Sequence, residues 1–189
     1  KCFANLRQWS FEGLVLKRIV SVLFLCFSSA QGYAANCTEA SGTITISIDC
    51  TQLEISGDSS NVTVAAGVTV DSSGTMAVKT PDAVNVTITN NGTITADGNY
   101  GIRNTSPGDI YNLTNNGSII AGAGGAGNHG IRNGGTITSL SNSGTISAAT
   151  DRGITNLTGD ARSWGTITNT NSGTISAGVN FGIRNDGTI

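Results

Sequence analysis

The chain has 189 residues, enough for one domain with a real core, yet only 12% are charged and 26 are glycine, against about 25% charged and about half that glycine share in an average domain. With 38% apolar residues it is not a low-hydrophobicity disordered chain, and the lack of Leu-rich or Ala/Glu/Lys-rich stretches excludes long helices, coiled coils and collagen. Residues 1–34 carry a net charge of +3 and residues 35–189 a net −5, which excludes nucleic acid as a partner, because phosphate contact is mainly a Lys/Arg effect.

In chain order, Lys17-Arg18 precedes the apolar run Ile19–Phe27, followed by Ser28-Ser-Ala-Gln-Gly-Tyr-Ala34. Positive charge, a short apolar core and small residues are the sequence of a secretory signal peptide. The run is far shorter than the ~20 residues that cross a bilayer as a helix, so no transmembrane helix is expected. Cleavage is expected between Ala34 and Ala35, with Gly32 and Ala34 as the small residues; cleavage after Gly32 is the alternative. Residues 1–34 are therefore an upstream extension plus signal, outside the fold. The start at Lys1 leaves open whether residues 1–13 are translated.

Export also explains the cysteines. Cys2 and Cys26 fall in the excluded segment, leaving Cys37 and Cys50, which read as a disulfide in an exported protein. Closing so short a loop gains about 3 kcal/mol in the chain-entropy model. One histidine and no further cysteine give no metal-ligand cluster, and no cofactor is expected.

Beyond this point the chain repeats. Asn90-Asn-Gly-Thr-Ile94 returns as Asn115-Asn-Gly-Ser-Ile119, Asn142-Ser-Gly-Thr-Ile146 and Asn171-Ser-Gly-Thr-Ile175. A second element follows each: Gly101-Ile-Arg-Asn104, Gly130-Ile-Arg-Asn133, Gly153-Ile-Thr-Asn156 and Gly182-Ile-Arg-Asn185. A third is weaker: Gly108-Asp-Ile110, Gly135-Thr-Ile137, Gly165-Thr-Ile167 and Gly187-Thr-Ile189. Fixed periodicity of this length means stacked repeats. Thr43-Ile-Thr-Ile-Ser-Ile48 and Val84-Asn-Val-Thr-Ile-Thr89 alternate as strands, and Asn-Gly or Asn-Ser-Gly supplies the turns.

Three short strands with tight corners make one rung of an all-β parallel β-helix, a solenoid of about 25–29 residues per rung. Residues 35–89 repeat less regularly and read as the N-terminal capping region. Residues 90–189 are the regular repeats, cut at Ile189 in mid-repeat, so the natural protein is expected to continue. Three inward columns are expected: Ile94, Ile119, Ile146 and Ile175; Ile102, Ile131, Ile154 and Ile183; and Ile110, Ile137, Ile167 and Ile189. Asn90, Asn115, Asn142 and Asn171 are expected to form an amide ladder at one corner.

An export signal followed by Asn-Asn-Gly-Thr-Ile and Gly-Ile-Arg-Asn repeats resembles the start of an autotransporter passenger domain of Gram-negative bacteria. The resemblance covers about residues 35–189. It implies a right-handed β-helix displayed at the cell surface or secreted, with an outer-membrane translocator barrel as partner.

Candidate chemistry is sparse. Gly57-Asp-Ser-Ser60 has the surroundings of a serine nucleophile, but that nucleophile needs a base and His129 is the sole histidine; a solvated turn is the better reading. Gly122-Ala-Gly-Gly-Ala-Gly127 matches a dinucleotide loop literally, yet it leads into a strand, where that loop requires a helix. Asp97, Asp151 and Asp160 occupy different phases of the repeat and form no acid pair. Arg103, Arg132 and Arg184 share one phase beside inward isoleucines and should point outward, interrupted by Thr155. They are either a solvated face or a stripe contacting acidic glycans. The expected function is that of a non-enzymatic adhesive passenger or stalk, binding glycans or itself. The competing readings are a carbohydrate-active β-helix enzyme with its catalytic residues elsewhere, and a passenger exported by a separate partner barrel.

Overall fold

The computed structural model describes residues 37–39, 42–125, 127–157, 163–170 and 172–186, all within one compact unit, Tyr33–Ile189. The expected signal segment, its cleavage site at Ala34 and Ala35, Asp160, Asn171 and Ile189 lie outside the described residues.

Every strand pairing is parallel, and the chain visits three sheets in turn. The seven-stranded sheet stacks Cys37–Glu39, Leu53–Ile55, Met76–Thr80, Tyr100–Asn104, His129–Asn133, Arg152–Asn156 and Ile183–Asn185. Its six-stranded neighbour stacks Thr43–Ile46, Asn61–Val64, Val86–Asn90, Asp109–Asn115, Thr136–Asn142 and Ser163–Asn169. Thr69–Ser72, Thr93–Ala96, Ser118–Ala121, Thr145–Ala148 and Thr174–Ala177 make the five-stranded sheet. This is a parallel β-solenoid of about five turns. Cys37 and Cys50 are joined by a disulfide at its N-terminal end, their Cα atoms 6.0 Å apart.

Alternation drives the assembly. In Thr93–Ala96 and Thr145–Ala148 every second side chain is buried, as the period-2 geometry of a strand requires. Ile94, Ile119, Ile146 and Ile175 are in register as one column, continued by Val70. Ile102, Ile131, Ile154 and Ile183 form a second, continued by Val78 and Leu53.

The third column differs from the expectation. Ile110 and Ile137 align with each other, but the next rung places Trp164 opposite Ile137, and Ile167 opposite Leu140. The six-stranded sheet carries two inward columns, the second running Ile44, Val62, Ile88, Leu113, Leu140 and Ile167. Strands such as Thr136–Asn142 are seven residues long, and two successive outward-facing residues between Ile137 and Leu140 interrupt the alternation. Gly165-Thr-Ile167 repeats the motif but sits three residues further along its strand.

The corner amides form two ladders. Asn90 donates to Asn115 at 2.8 Å, Asn115 to Asn142 at 2.7 Å, and Asn142 to Asn169 at 2.7 Å. Asn169, not Asn171, therefore occupies the fourth place, because this corner is two residues longer and Asn169 reaches forward to the Gly173 carbonyl at 2.7 Å. A second ladder runs from the Thr80 hydroxyl to Asn104, Asn133, Asn156 and Asn185, with contacts of 2.6 to 3.0 Å. Buried amides so paired replace the hydrogen bonds lost from water. Glycine follows at the corners for a steric reason: a Cβ on Gly144 would run into the Gly117 carbonyl oxygen of the rung below.

Candidate functional site

Chemistry-bearing side chains gather on the seven-stranded sheet. Its strands open on Met76, Tyr100, His129 and Arg152, which are in register. Three residues later a parallel column runs Lys79, Arg103, Arg132, Thr155 and Arg184. Between the two columns lie Gly101, Gly130 and Gly153. A Cβ on Gly130 would come within 2.7 Å of the Gly153 carbonyl oxygen and 2.9 Å of Ile146 Cγ2. A side chain at Gly130 would therefore clash with the neighbouring rung and with the isoleucine column.

The Tyr100 and His129 rings stack at 5.6 Å with a 9° interplanar angle. The guanidiniums of Arg103 and Arg132 lie over the Tyr100 ring at 5.7 Å and 5.2 Å from its centroid, within cation–π range. Arg152 pairs with Asp151 at 3.0 Å, Arg184 with Asp186 at 2.7 Å and Lys79 with Glu54 at 3.3 Å. Among the described residues neither Arg103 nor Arg132 has a carboxylate partner, and the Arg103 Nε is buried without an acceptor.

His129 is 5% exposed. Its Nδ1 lies 2.9 Å from the Thr155 hydroxyl and its Nε2 3.8 Å from an Asp151 oxygen. Burial pushes its pKa down from 6.5 to about 4; Asp151 opposes the shift, and Arg152, Arg132 and Arg184 add to it. Asp151 accepts a further bond from Asn180 at 2.5 Å. A hydroxyl, an imidazole and a carboxylate thus meet. However, Thr155 is 1% exposed and the carboxylate stands beyond hydrogen-bond reach of the ring. The hydroxyl cannot meet a substrate from solvent, so the contact works as a bridge between neighbouring rungs.

The other candidates separate. Ser59 sits in a turn at a φ of 57°, with Ser60 bonded to the Gly57 carbonyl at 2.7 Å; the strand before that turn, Leu53–Ile55, is three places from His129–Asn133 in the sheet order. The glycine loop leads into His129–Asn133, a strand. Asp97 is exposed and Asp151 buried. Among the described residues no group of three or more His, Cys, Asp or Glu could hold a metal ion, and no helix is long and apolar enough to cross a membrane.

Sequence reasoning found Arg103, Arg132 and Arg184, and weighed His129 only as a base for a serine nucleophile; it did not set Tyr100, His129 and Arg152 beside the arginines. Each of those three immediately precedes the glycine of the second repeat element, a shared position that was legible in the sequence. No protein-family model, curated protein or solved structure matches the chain.

Proposed function

We propose that the chain is a non-enzymatic β-helical passenger or stalk, exported through an outer-membrane translocator barrel to the cell surface or secreted, and acting in adhesion or autoaggregation. The observation that carries this reading is the composition of the outer faces. Thr87, Asn112 and Ser139 stand in register, as do Thr89, Thr114, Ser141 and Thr168, and Thr93, Ser118, Thr145 and Thr174. Parallel strands repeat such columns at about 4.8 Å. A polar, regularly spaced face suits weak multivalent contact, in which many copies convert small affinities into avidity. The signal-like segment at 17–34 supports export.

Fusing the 189-residue chain to an outer-membrane barrel and following cell settling tests the proposal. Displaying cells should settle faster than cells with the barrel alone, and His129→Ala or Ser59→Ala should leave the rate unchanged. Settling no faster than the barrel control would overturn it. So would turnover on a polysaccharide or peptide panel that His129→Ala abolishes, which would favour a carbohydrate-active enzyme or hydrolase.

A further inference from the structure

We infer that Arg103 and Arg132 form an anion site that takes the carboxylate or sulfate groups of an acidic polysaccharide. The inference deepens the adhesive reading and rests on it for the source of the anion. Five cations line this sheet, and three of them, Lys79, Arg152 and Arg184, are each neutralised by a carboxylate at 2.7 to 3.3 Å. The two central ones are not. They are register neighbours, a distance of about 4.8 Å between strands, where like charges destabilise a sheet. Both guanidiniums also lie within cation–π reach of the one Tyr100 ring. Two guanidinium forks match the oxygens of a carboxylate or sulfate.

The surroundings select the kind of polyanion. Glu54, Asp151 and Asp186 flank the pair along the sheet, and residues 35–189 are net negative. A duplex nucleic acid, with a phosphate charge every ~1.7 Å of axis, would meet those carboxylates. A sugar polymer with spaced acidic groups sets one or two anions on the arginines and neutral hydroxyls elsewhere.

The test measures binding of the full chain to sodium sulfate, polygalacturonate, dextran sulfate, neutral dextran and a short DNA duplex. Polygalacturonate and dextran sulfate should bind, neutral dextran should not, and the log–log salt slope should be near two, one for each arginine. R103Q/R132Q should weaken binding about tenfold or more, while R184Q, which removes an already paired charge, should change it less than about twofold. R103K/R132K should fall between the two, because charge remains and the fork is lost. Thermal melting of R103Q/R132Q at or above the parent's Tm would show that lost binding is not unfolding; if that variant melts lower, the lysine pair carries the comparison. Equal binding of the DNA duplex, sulfate binding that the polymers do not exceed, or glutamine variants that bind like the parent would overturn the inference. Cells that settle through the displayed chain while the purified chain binds no acidic polymer overturn the anion site alone; cells that neither settle nor bind overturn both readings.

Discussion

At His129 a titratable ring is enclosed by Tyr100, Thr155, Asp151 and the arginines at 132, 152 and 184. Its folded pKa of about 4 lies below the 6.5 of an open histidine, so the unfolded chain takes up the proton first. The stability contributed by the neutral ring is complete above pH 6.5 and is lost as pH falls from 6.5 through 4. The loss has an upper bound on the order of 3 kcal/mol. Urea midpoints of the parent should drop across that window relative to His129→Gln; parallel pH curves would refute it. At Asn115 the amide serves three acceptors, Asn142, Thr145 and Gly117, and accepts from Asn90. Asn115→Ala should cost about 2–3 kcal/mol, because it strands buried partners on both sides. A urea-midpoint change typical of an exposed asparagine would contradict the ladder.

Single strands are held by what lies on their two faces. Ile146 is fully buried between Ile119 and Ile175, whereas Arg132 is half-buried on the outer face. Ile146→Asp should therefore destabilise by several kcal/mol and Arg132→Ala by less than about 1 kcal/mol. Equal losses in denaturant midpoint would reverse the inward and outward assignment. Gly144 makes the complementary point about corners. Gly144→Ala drives a methyl group into the Gly117 carbonyl, so it should cost more than about 2 kcal/mol, although alanine is ordinarily well tolerated. The column that repeat matching did not identify was also visible locally: Ile88, Leu113, Leu140 and Ile167 each stand two residues before a ladder asparagine. Applied to the last repeat, that rule selects Asn169 over Asn171.

Across the molecule, each rung rests only on its neighbours, as in any solenoid, so stability is collective. Asn115 and Asn142 are 27 residues apart and directly in register. Deleting residues 116–142 removes one whole turn and rejoins the chain in phase. The product should fold with a urea m-value lower by about one fifth, in proportion to the surface lost. Deleting 116–129 breaks the phase and should abolish cooperative unfolding. A cooperative half-turn deletion would refute the one-rung register.

The sequence by itself determined the class of fold, the three strands per period and the first two isoleucine columns. Alternation and the glycine–asparagine punctuation are local properties, and neighbouring strands obey them independently. Tertiary structure decided what depends on corner length. Successive ladder positions are 23 to 29 residues apart, and each corner absorbs the difference without disturbing the strands. Whether Ile167 or Trp164 sits over Ile137, and whether Asn169 or Asn171 joins the ladder, follows from that bookkeeping. The same stacking brings Tyr100 against His129 and sets Arg103 beside Arg132, pairs 29 residues apart in the chain. Their contact exists only once the rungs are in register.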